Sequence, residues 1–81
     1  MEGLYSLADA RPEQKNVIVT MAVSGVLQAR LREIGVIEGT EIVCVQASFF
    51  GDPRIYRVRG TKLCLRREEA RRILCRPVSE S

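Results

Sequence analysis

A β-hairpin and the loop before it are encoded in residues 48–66, SFFGDPRIYRVRGTKLCLR. Residues 54–59 are expected to form a strand with Tyr56 and Val58 on one face, and residues 62–66 alternate between two apolar leucines and outward side chains, as strands with one buried face do. Gly60-Thr61 stands between them and predicts a two-residue turn with glycine in the first position. Residues 49–53 end in Gly-Asp-Pro and are expected to form the loop that leads into the hairpin.

The alternation also predicts which hairpin side chains are buried. Tyr56 and Val58 share one face of the first strand, and Leu63 and Leu65 share one face of the second. Both of these faces are expected to point into the core. The outward side chains of the second strand are then Lys62, Cys64 and Arg66.

Residues 24–34 change to the period of a helix. Their apolar side chains recur at i, i+4 and i+7 and form one stripe: Leu27, Leu31 and Ile34. Ser24 is expected to cap the first turn through its hydroxyl. Gly35 suits the left-handed residue just past the helix end, and Val36 is placed to fold back on the last turn, as in a Schellman motif.

The remaining elements are shorter. Residues 16–23 and 41–48 are rich in β-branched and apolar side chains, as buried strands are. Residues 67–72 predict one or two helical turns, and residues 73–78 predict a closing strand. Residues 4–14 show no periodic pattern and are expected to be turn-like.

Five short strands and one early helix predict a mainly-β fold, a small β-barrel with one inserted helix. A closed barrel removes strand edges that a chain of 81 residues has few means to cover. No linker or internal repeat interrupts the sequence, so residues 1–81 are expected to form a single domain.

Several features indicate a cytoplasmic protein. The acidic N-terminus lacks the apolar segment of a secretory signal. The longest apolar runs are a few residues, far short of the roughly 20 that span a bilayer. Three cysteines without a CxxC motif argue against a disulfide framework and for a reducing compartment.

The positive charge is concentrated in one segment. The net charge is +3, but residues 54–76 hold nine Lys or Arg against two Glu. Such asymmetry favours an acidic partner, which could be nucleic acid, an anionic membrane surface or an acidic protein. The alternative is a set of solvated strand faces that keep a small β protein soluble.

Candidate catalytic and metal-binding residues are sparse. The chain has no His, and Cys44, Cys64 and Cys75 lie too far apart in sequence to suggest a zinc motif. Cys75 is expected in the core, whereas Cys64 faces outward, where its thiol could bind a soft ion. Asp52 is expected to bond nearby backbone N–H groups. No nucleophile–base pair is apparent, so the sequence predicts that the chain is not an enzyme.

The aromatic residues near the Gly-Asp-Pro loop leave two kinds of binding open. Phe49, Phe50 and Tyr56 could stack on bases beside Arg54 and Arg57, as in small nucleic-acid-binding barrels. The paired Phe residues could instead form an apolar anchor with a basic rim for a protein partner. A purely structural reading has one Phe plug an open end of the barrel.

The order of these short motifs resembles the ferrous iron transport protein A (FeoA) family. The resemblance covers roughly residues 4–78. It rests on an Arg-Leu…Gly…Gly…Val run, the Gly-Asp-Pro loop and an Arg-Gly…Leu-Arg…Ala…Ile run: Arg30, Leu31, Gly35, Gly39, Val43, Gly51, Asp52, Pro53, Arg59, Gly60, Leu65, Arg66, Ala70 and Ile73.

The resemblance implies an SH3-like barrel in a small cytosolic accessory protein of ferrous iron transport. It implies that the partner is the cytoplasmic GTPase domain of the membrane transporter (FeoB). Nucleic acid is not expected as a partner, and the chain is not expected to insert into a membrane. The residues expected to meet that partner are Phe49, Phe50, Gly51, Asp52, Pro53, Arg54, Arg57 and Arg66.

Related domains occur in iron-dependent repressors, so a metal-responsive regulatory domain is an alternative function. A small nucleic-acid-binding barrel is a further alternative. The sequence leaves open whether a transition metal ion (Fe2+ or Zn2+) binds the chain, with Cys64 as the candidate ligand. A weak homodimer through the basic strand edge is left open as well.

Overall fold

The computed structural model describes residues 3–47 and 52–78, and within these ranges strands predominate. The elements in chain order are β1 (Tyr5–Ser6), a 3-10 helix (Leu7–Asp9), β2 (Lys15–Met21), α1 (Gly25–Glu33), β3 (Glu41–Ala47), β4 (Arg54–Val58), β5 (Thr61–Leu65), α2 (Arg67–Ala70) and β6 (Ile73–Pro77).

The described strands form one antiparallel sheet in the order β1-β6-β2-β3-β4-β5. The edge strands are β1 and β5. The 3-10 helix follows β1, α2 follows β5, and these two helices contact each other, which brings the two edges of the sheet together. The mainly-β prediction with one inserted helix is confirmed, and the sheet has one strand more than the five expected.

The core lies on the inner face of the curved sheet. Leu63, Leu65, Tyr56 and Val58 are all buried, as the alternation in the hairpin predicts. Cys75 is buried too, as expected. The other large buried side chains come from every part of the sheet and from α1: Leu7, Ile18, Leu31, Val36, Ile42, Cys44 and Ile73.

The expectation of a turn-like start was wrong. Residues 4–14 include β1, which pairs with β6, and the 3-10 helix, in which Leu7 and Ala8 are buried. Ser6 caps the 3-10 helix, because its hydroxyl accepts the Ala8 N–H at 3.0 Å. A two-residue strand is too short for a period of two to show, so its pairing with β6 could not be read from the sequence.

The start of α1 differs from the prediction. Ser24 stands at the N-cap position with extended backbone, but its hydroxyl caps no N–H. Gly25 follows with a φ of 64°. The left-handed backbone of Gly25 distorts the first turn of α1. The Ser24 hydroxyl therefore accepts no N–H of that turn.

The end of α1 agrees with the prediction. The Val36 N–H donates to the Leu31 carbonyl at 2.9 Å and the Gly35 N–H donates to the Arg32 carbonyl at 3.0 Å. This pair of bonds defines a Schellman motif, with Gly35 left-handed at a φ of 84°. Leu31 is fully buried, and Leu27 and Ile34 pack against the core beside it.

The hairpin turn lies one residue earlier than expected. Val58 pairs with Thr61, so the two central residues are Arg59 and Gly60 rather than Gly60 and Thr61. Both have positive φ, 50° and 75°, which is the conformation of a type I′ turn. A type I′ turn matches the right-handed twist of the strands, and this requirement outweighs the cost of a left-handed Arg59.

Other boundaries shift by one or two residues. The strand expected over 16–23 is Lys15–Met21, the helical turn expected over 67–72 ends at Ala70, and the last strand ends at Pro77. Ser48 and the loop residues 49–51 lie outside the described residues. The prediction of a single domain over 1–81 stays a prediction.

We predict that Gly35→Ala destabilises the fold by about 1–2 kcal/mol, since a Cβ disfavours left-handed backbone. That Cβ would also lie 2.8 Å from Cδ of Arg59, which would have to leave the end of α1. Urea denaturation measures the loss. Gly39→Ala is the matched control, because Gly39 has a φ of 91° but nothing within 4 Å of the added carbon. Gly35→Ala should be less stable than Gly39→Ala, and equal stability of the two variants would contradict the prediction.

Candidate interaction surface

The residues expected to bind a partner fall into three groups. Phe49, Phe50 and Gly51 lie outside the described residues. Asp52 and Pro53 are exposed at the start of β4. The three arginines differ from one another in their surroundings: Arg54, Arg57 and Arg66.

Arg54 is directed into the protein. Its guanidinium donates to the Tyr56 hydroxyl at 3.0 Å, to the Cys44 sulfur at 3.2 Å and to the backbone carbonyl of Ala10. It also lies 5.9 Å from the centroid of the Tyr56 ring. Arg54 is one of the residues predicted to meet the partner, and that role stays a prediction; in the described structure its donors are bonded within the fold.

Tyr56 completes this contact. Its side chain is 0% exposed, and its hydroxyl donates to the Leu7 carbonyl at 3.0 Å while accepting from Arg54. A buried hydroxyl without partners costs free energy, so a bond in each direction keeps it in the core. Together Arg54 and Tyr56 hold two carbonyls of the N-terminal segment, those of Leu7 and Ala10, against β4.

The hydrogen bonds of Arg54 and Tyr56 are expected to contribute more to the stability of the fold than the ion pairs at the surface. A hydrogen bond from a charged group contributes about 1.5–3 kcal/mol. An exposed ion pair contributes roughly 0–1 kcal/mol. The three ion pairs of the described residues join half-exposed side chains at 3.7–4.0 Å, and they are Arg30–Glu69, Arg57–Glu13 and Arg72–Glu68.

The inward direction of Arg54 could have been found in the sequence. Arg54, Tyr56 and Val58 stand at i, i+2 and i+4 of one strand and therefore share a face. Sequence reasoning applied this rule to the two apolar residues and not to the arginine. Nothing in the sequence identified the Ala10 carbonyl as the partner of Arg54, or the Leu7 carbonyl as the partner of Tyr56, because each lies more than 40 residues from its donor.

Asp52 links the loop to α2. Its carboxylate accepts the backbone N–H of Arg67 at 3.0 Å, at the first residue of that helix. A carboxylate is favourable there, since the first N–H groups of a helix have no partner within it. The expected bond to a backbone N–H is present, but its donor lies 15 residues along the chain.

Arg57 and Arg66 are exposed. Arg57 approaches Glu13 at 3.8 Å, with about half of its side chain accessible. Arg66 stands at the N-cap position of α2, and its backbone N–H donates to Glu69 at 2.9 Å. Both guanidinium groups are accessible to a partner.

The cysteines differ in exposure. Cys64 is exposed on the outer face of β5, opposite Ile55, while Cys44 and Cys75 are buried. Within residues 3–47 and 52–78 no three His, Cys, Asp or Glu side chains come together in a way that could hold a metal ion. The described part of the chain also has no helix long and apolar enough to cross a membrane.

Comparisons with known proteins agree with the fold. The sequence profile of the FeoA domain matches residues 5–77. A fusion of Fe(2+) transport protein A with the Fe(2+) transporter FeoB, from Porphyromonas gingivalis, is 34% identical over 67 residues. The match covers 83% of this chain and 8% of that protein, so the chain spans under a tenth of its length.

Two solved structures share the architecture. FeoA of Stenotrophomonas maltophilia complexed with zinc, described as an SH3 domain protein, is 27% identical with a TM-score of 0.71 over 86% of this chain and 87% of that one. A manganese-dependent transcriptional repressor is 12% identical with a TM-score of 0.78 over 93% of this chain and 42% of that one. The SH3-like fold is thereby confirmed, and the second likeness shows the fold alone.

We predict that the protein loses stability as the pH rises from about 9 to 12. Burial raises the pKa of Cys75 to about 11 and that of Tyr56 to about 12, above their ordinary values of 9.0 and 10.0. Both groups stay neutral in the folded protein at pH values where the unfolded chain ionises. Their contribution to the free energy of unfolding is therefore fully present below pH 9, and it is lost as the pH rises through the pKa of each group in the folded protein. Urea denaturation across this range measures the fall.

Tyr56→Phe separates the two groups. It should remove the part of the fall between pH 10 and 12 and keep the part due to Cys75. At neutral pH it should cost about 1–3 kcal/mol, because the Leu7 carbonyl loses its donor. If Tyr56→Phe leaves both the stability at pH 7 and the dependence of stability on pH unchanged, the role assigned to the Tyr56 hydroxyl is contradicted.

Proposed function

The chain belongs to the FeoA domain family, and we propose that it is a small cytoplasmic accessory protein of ferrous iron transport that binds the GTPase domain of the transporter. The Porphyromonas gingivalis relative carries this proposal, because there a segment similar to this chain is joined to a Fe(2+) transporter in one polypeptide. Fusion keeps two domains at high effective concentration, which suits partners that work in contact.

The described surface supports action by contact. Asp52 and Pro53 are exposed, and the side chains of Arg57 on β4 and Arg66 after β5 are exposed as well. Asp52 is held by α2 and Arg54 by the N-terminal segment, so the end of the loop is fixed on both sides. A fixed loop end loses little conformational entropy on binding, which favours affinity.

The loop residues and the arginines are given different roles in the proposed contact. Phe49 and Phe50, with Gly51, are proposed as the apolar anchor of the contact. Arg57 and Arg66 supply a basic rim that contributes association rate and specificity more than affinity. Arg54 acts differently from its neighbours, because it positions the loop end from inside the fold.

Iron enters this proposal as the cargo of the transporter. The Stenotrophomonas maltophilia protein is complexed with zinc, and here Cys64 is an exposed thiol on β5. The proposed contact uses side chains and backbone of the chain itself.

We predict that the GTPase domain shifts the NMR signals of residues 49–57 and Arg66 when added to the isotope-labelled chain. Phe50→Ala should raise the dissociation rate, since burying a Phe side chain contributes at most about 1.5–3 kcal/mol. Ile37→Ala is the matched control, because Ile37 is an exposed apolar residue elsewhere on the surface. A spectrum that stays unchanged at near-millimolar partner would exclude docking on that domain.

A further inference from the structure

The hairpin formed by β4 and β5 has one face in the core and one face directed outward. Tyr56 of β4 pairs with Leu63 of β5, and both side chains are buried. The pairs on either side of them point away from the core, because successive side chains of a strand alternate between the two faces. These outward pairs are Ile55 with Cys64 and Arg57 with Lys62.

Arg66 continues this outward side beyond the end of β5. It stands two residues after Cys64, and its backbone is extended, with a φ of −68° and a ψ of 150°. The Ile55–Cys64 pair therefore lies between Arg66 on one side and the Arg57–Lys62 pair on the other. We call this surface the hairpin face; it comprises Ile55, Arg57, Lys62, Cys64 and Arg66.

The hairpin face is accessible and has an apolar centre. Its three cations and Cys64 are exposed, and Ile55 is half-buried. A free cysteine behaves as a small apolar side chain, so Ile55 and Cys64 together form an apolar pair between cations. An apolar centre with a polar rim is the usual composition of a surface that binds another protein.

The cations of one pair repel each other. Arg57 and Lys62 stand directly opposite in the ladder, where Cα atoms are about 4.5–5.5 Å apart and like charges are destabilising. A lysine on an edge strand such as β5 prevents pairing with another chain. This protection does not explain the arginine opposite it, because β4 lies between β3 and β5. A carboxylate bound at this pair would remove the repulsion.

Two carboxylates of the chain lie near the hairpin face. Glu13 approaches Arg57 at 3.8 Å, but about half or more of each side chain is exposed. Such an ion pair is weak, so a carboxylate of a partner can compete for Arg57. The Asp52 carboxylate accepts the backbone N–H of Arg67, at the start of α2. The three cations of the face therefore remain available to a partner.

We infer that the hairpin face binds an extended acidic segment of the GTPase domain, in which an apolar side chain lies between two carboxylates. The inference rests on the proposed function. Successive outward pairs of the hairpin are two residues apart, about 6.8 Å, and side chains on one side of an extended segment have the same spacing. A segment laid along the hairpin can thus place its apolar side chain on Ile55 and Cys64 while its carboxylates meet the cations on both sides.

The composition of the hairpin face favours a protein over other anions. Its described residues include no aromatic side chain to stack on a base, since Tyr56 is buried. An apolar pair at its centre would also interrupt a row of phosphates. A bilayer presents a continuous anionic plane, which would meet Glu13 as well as the cations. Discrete carboxylates on either side of an apolar side chain avoid these difficulties.

Surface plasmon resonance against the purified cytoplasmic GTPase domain compares the wild type with Lys62→Glu. The substitution turns a like-charge pair with Arg57 into an opposite-charge pair, so the variant should be at least as stable to urea as the wild type. It should nevertheless associate about fivefold more slowly at about 50 mM salt, with a smaller difference at about 500 mM. Arg76→Glu is the charge-matched control, because Arg76 is exposed on β6, three strands away from β5 in the sheet. The control should stay within about twofold of the wild type.

Alkylation of Cys64 by iodoacetamide measures directly whether the partner covers the face. Cys64 is exposed whereas Cys44 and Cys75 are buried, so the folded chain should react at Cys64. A saturating concentration of the GTPase domain should slow this reaction about tenfold or more, because the thiol then reacts only after dissociation. Mass spectrometry of the chain measures the rate.

The outcomes separate the inference from the function on which it rests. If the wild type binds but Cys64 still reacts at its free rate, or if Lys62→Glu binds as the wild type does, the inference is overturned and the proposed function stands. Absence of binding by the wild type overturns both. Vesicles of about 30% phosphatidylserine in phosphatidylcholine and a single strand of about 20 nucleotides are tested in parallel. Tighter binding of the wild type to either one, lost in Lys62→Glu, would assign the face to that anion and overturn the inference.

Discussion

The hydrogen bonds from Arg54 and Tyr56 to the N-terminal segment are the constraint on which the rest of the fold depends. They supply donors to the carbonyls of Leu7 and Ala10, which lie in a segment whose side chains enter the core. A buried carbonyl without a donor would cost about 1–3 kcal/mol. With these bonds in place, the 3-10 helix packs against α2 and the two edges of the sheet meet.

Local pattern predicted the elements whose signals lie within a few residues. The Schellman end of α1 and the buried face of β5 were both correct, because each depends on spacing along one element. The strand Tyr5–Ser6 and the partners of Arg54 depend on contacts that join distant parts of the chain. The loop residues 48–51 lie outside the described residues, so their predicted role in binding stays a prediction.

The described surface carries arginines in two kinds of surroundings. Its described arginines divide into those that hold the fold, as Arg54 does, and those that stay accessible, as Arg66 and Arg67 do. The sequence predicts a partner contact for Arg54, Arg57 and Arg66, and this contact stays a prediction. All of these arginines follow the Gly-Asp-Pro loop in the sequence. The direction of each side chain decides whether it bonds within the fold or stays accessible. The partner proposed for the accessible arginines is inferred from a relative in which a segment similar to this chain is fused to an Fe(2+) transporter.

Amide hydrogen exchange of Arg54→Met tests this division most directly. If Arg54 holds the N-terminal segment, the amides of Ala8 and Ala10 should exchange about tenfold faster or more, because bonds from a charged donor are lost there. Arg57→Met, which removes an exposed arginine from the same strand, should leave them protected. Unchanged protection of Ala8 and Ala10 in Arg54→Met would contradict the role of Arg54 in holding the N-terminal segment.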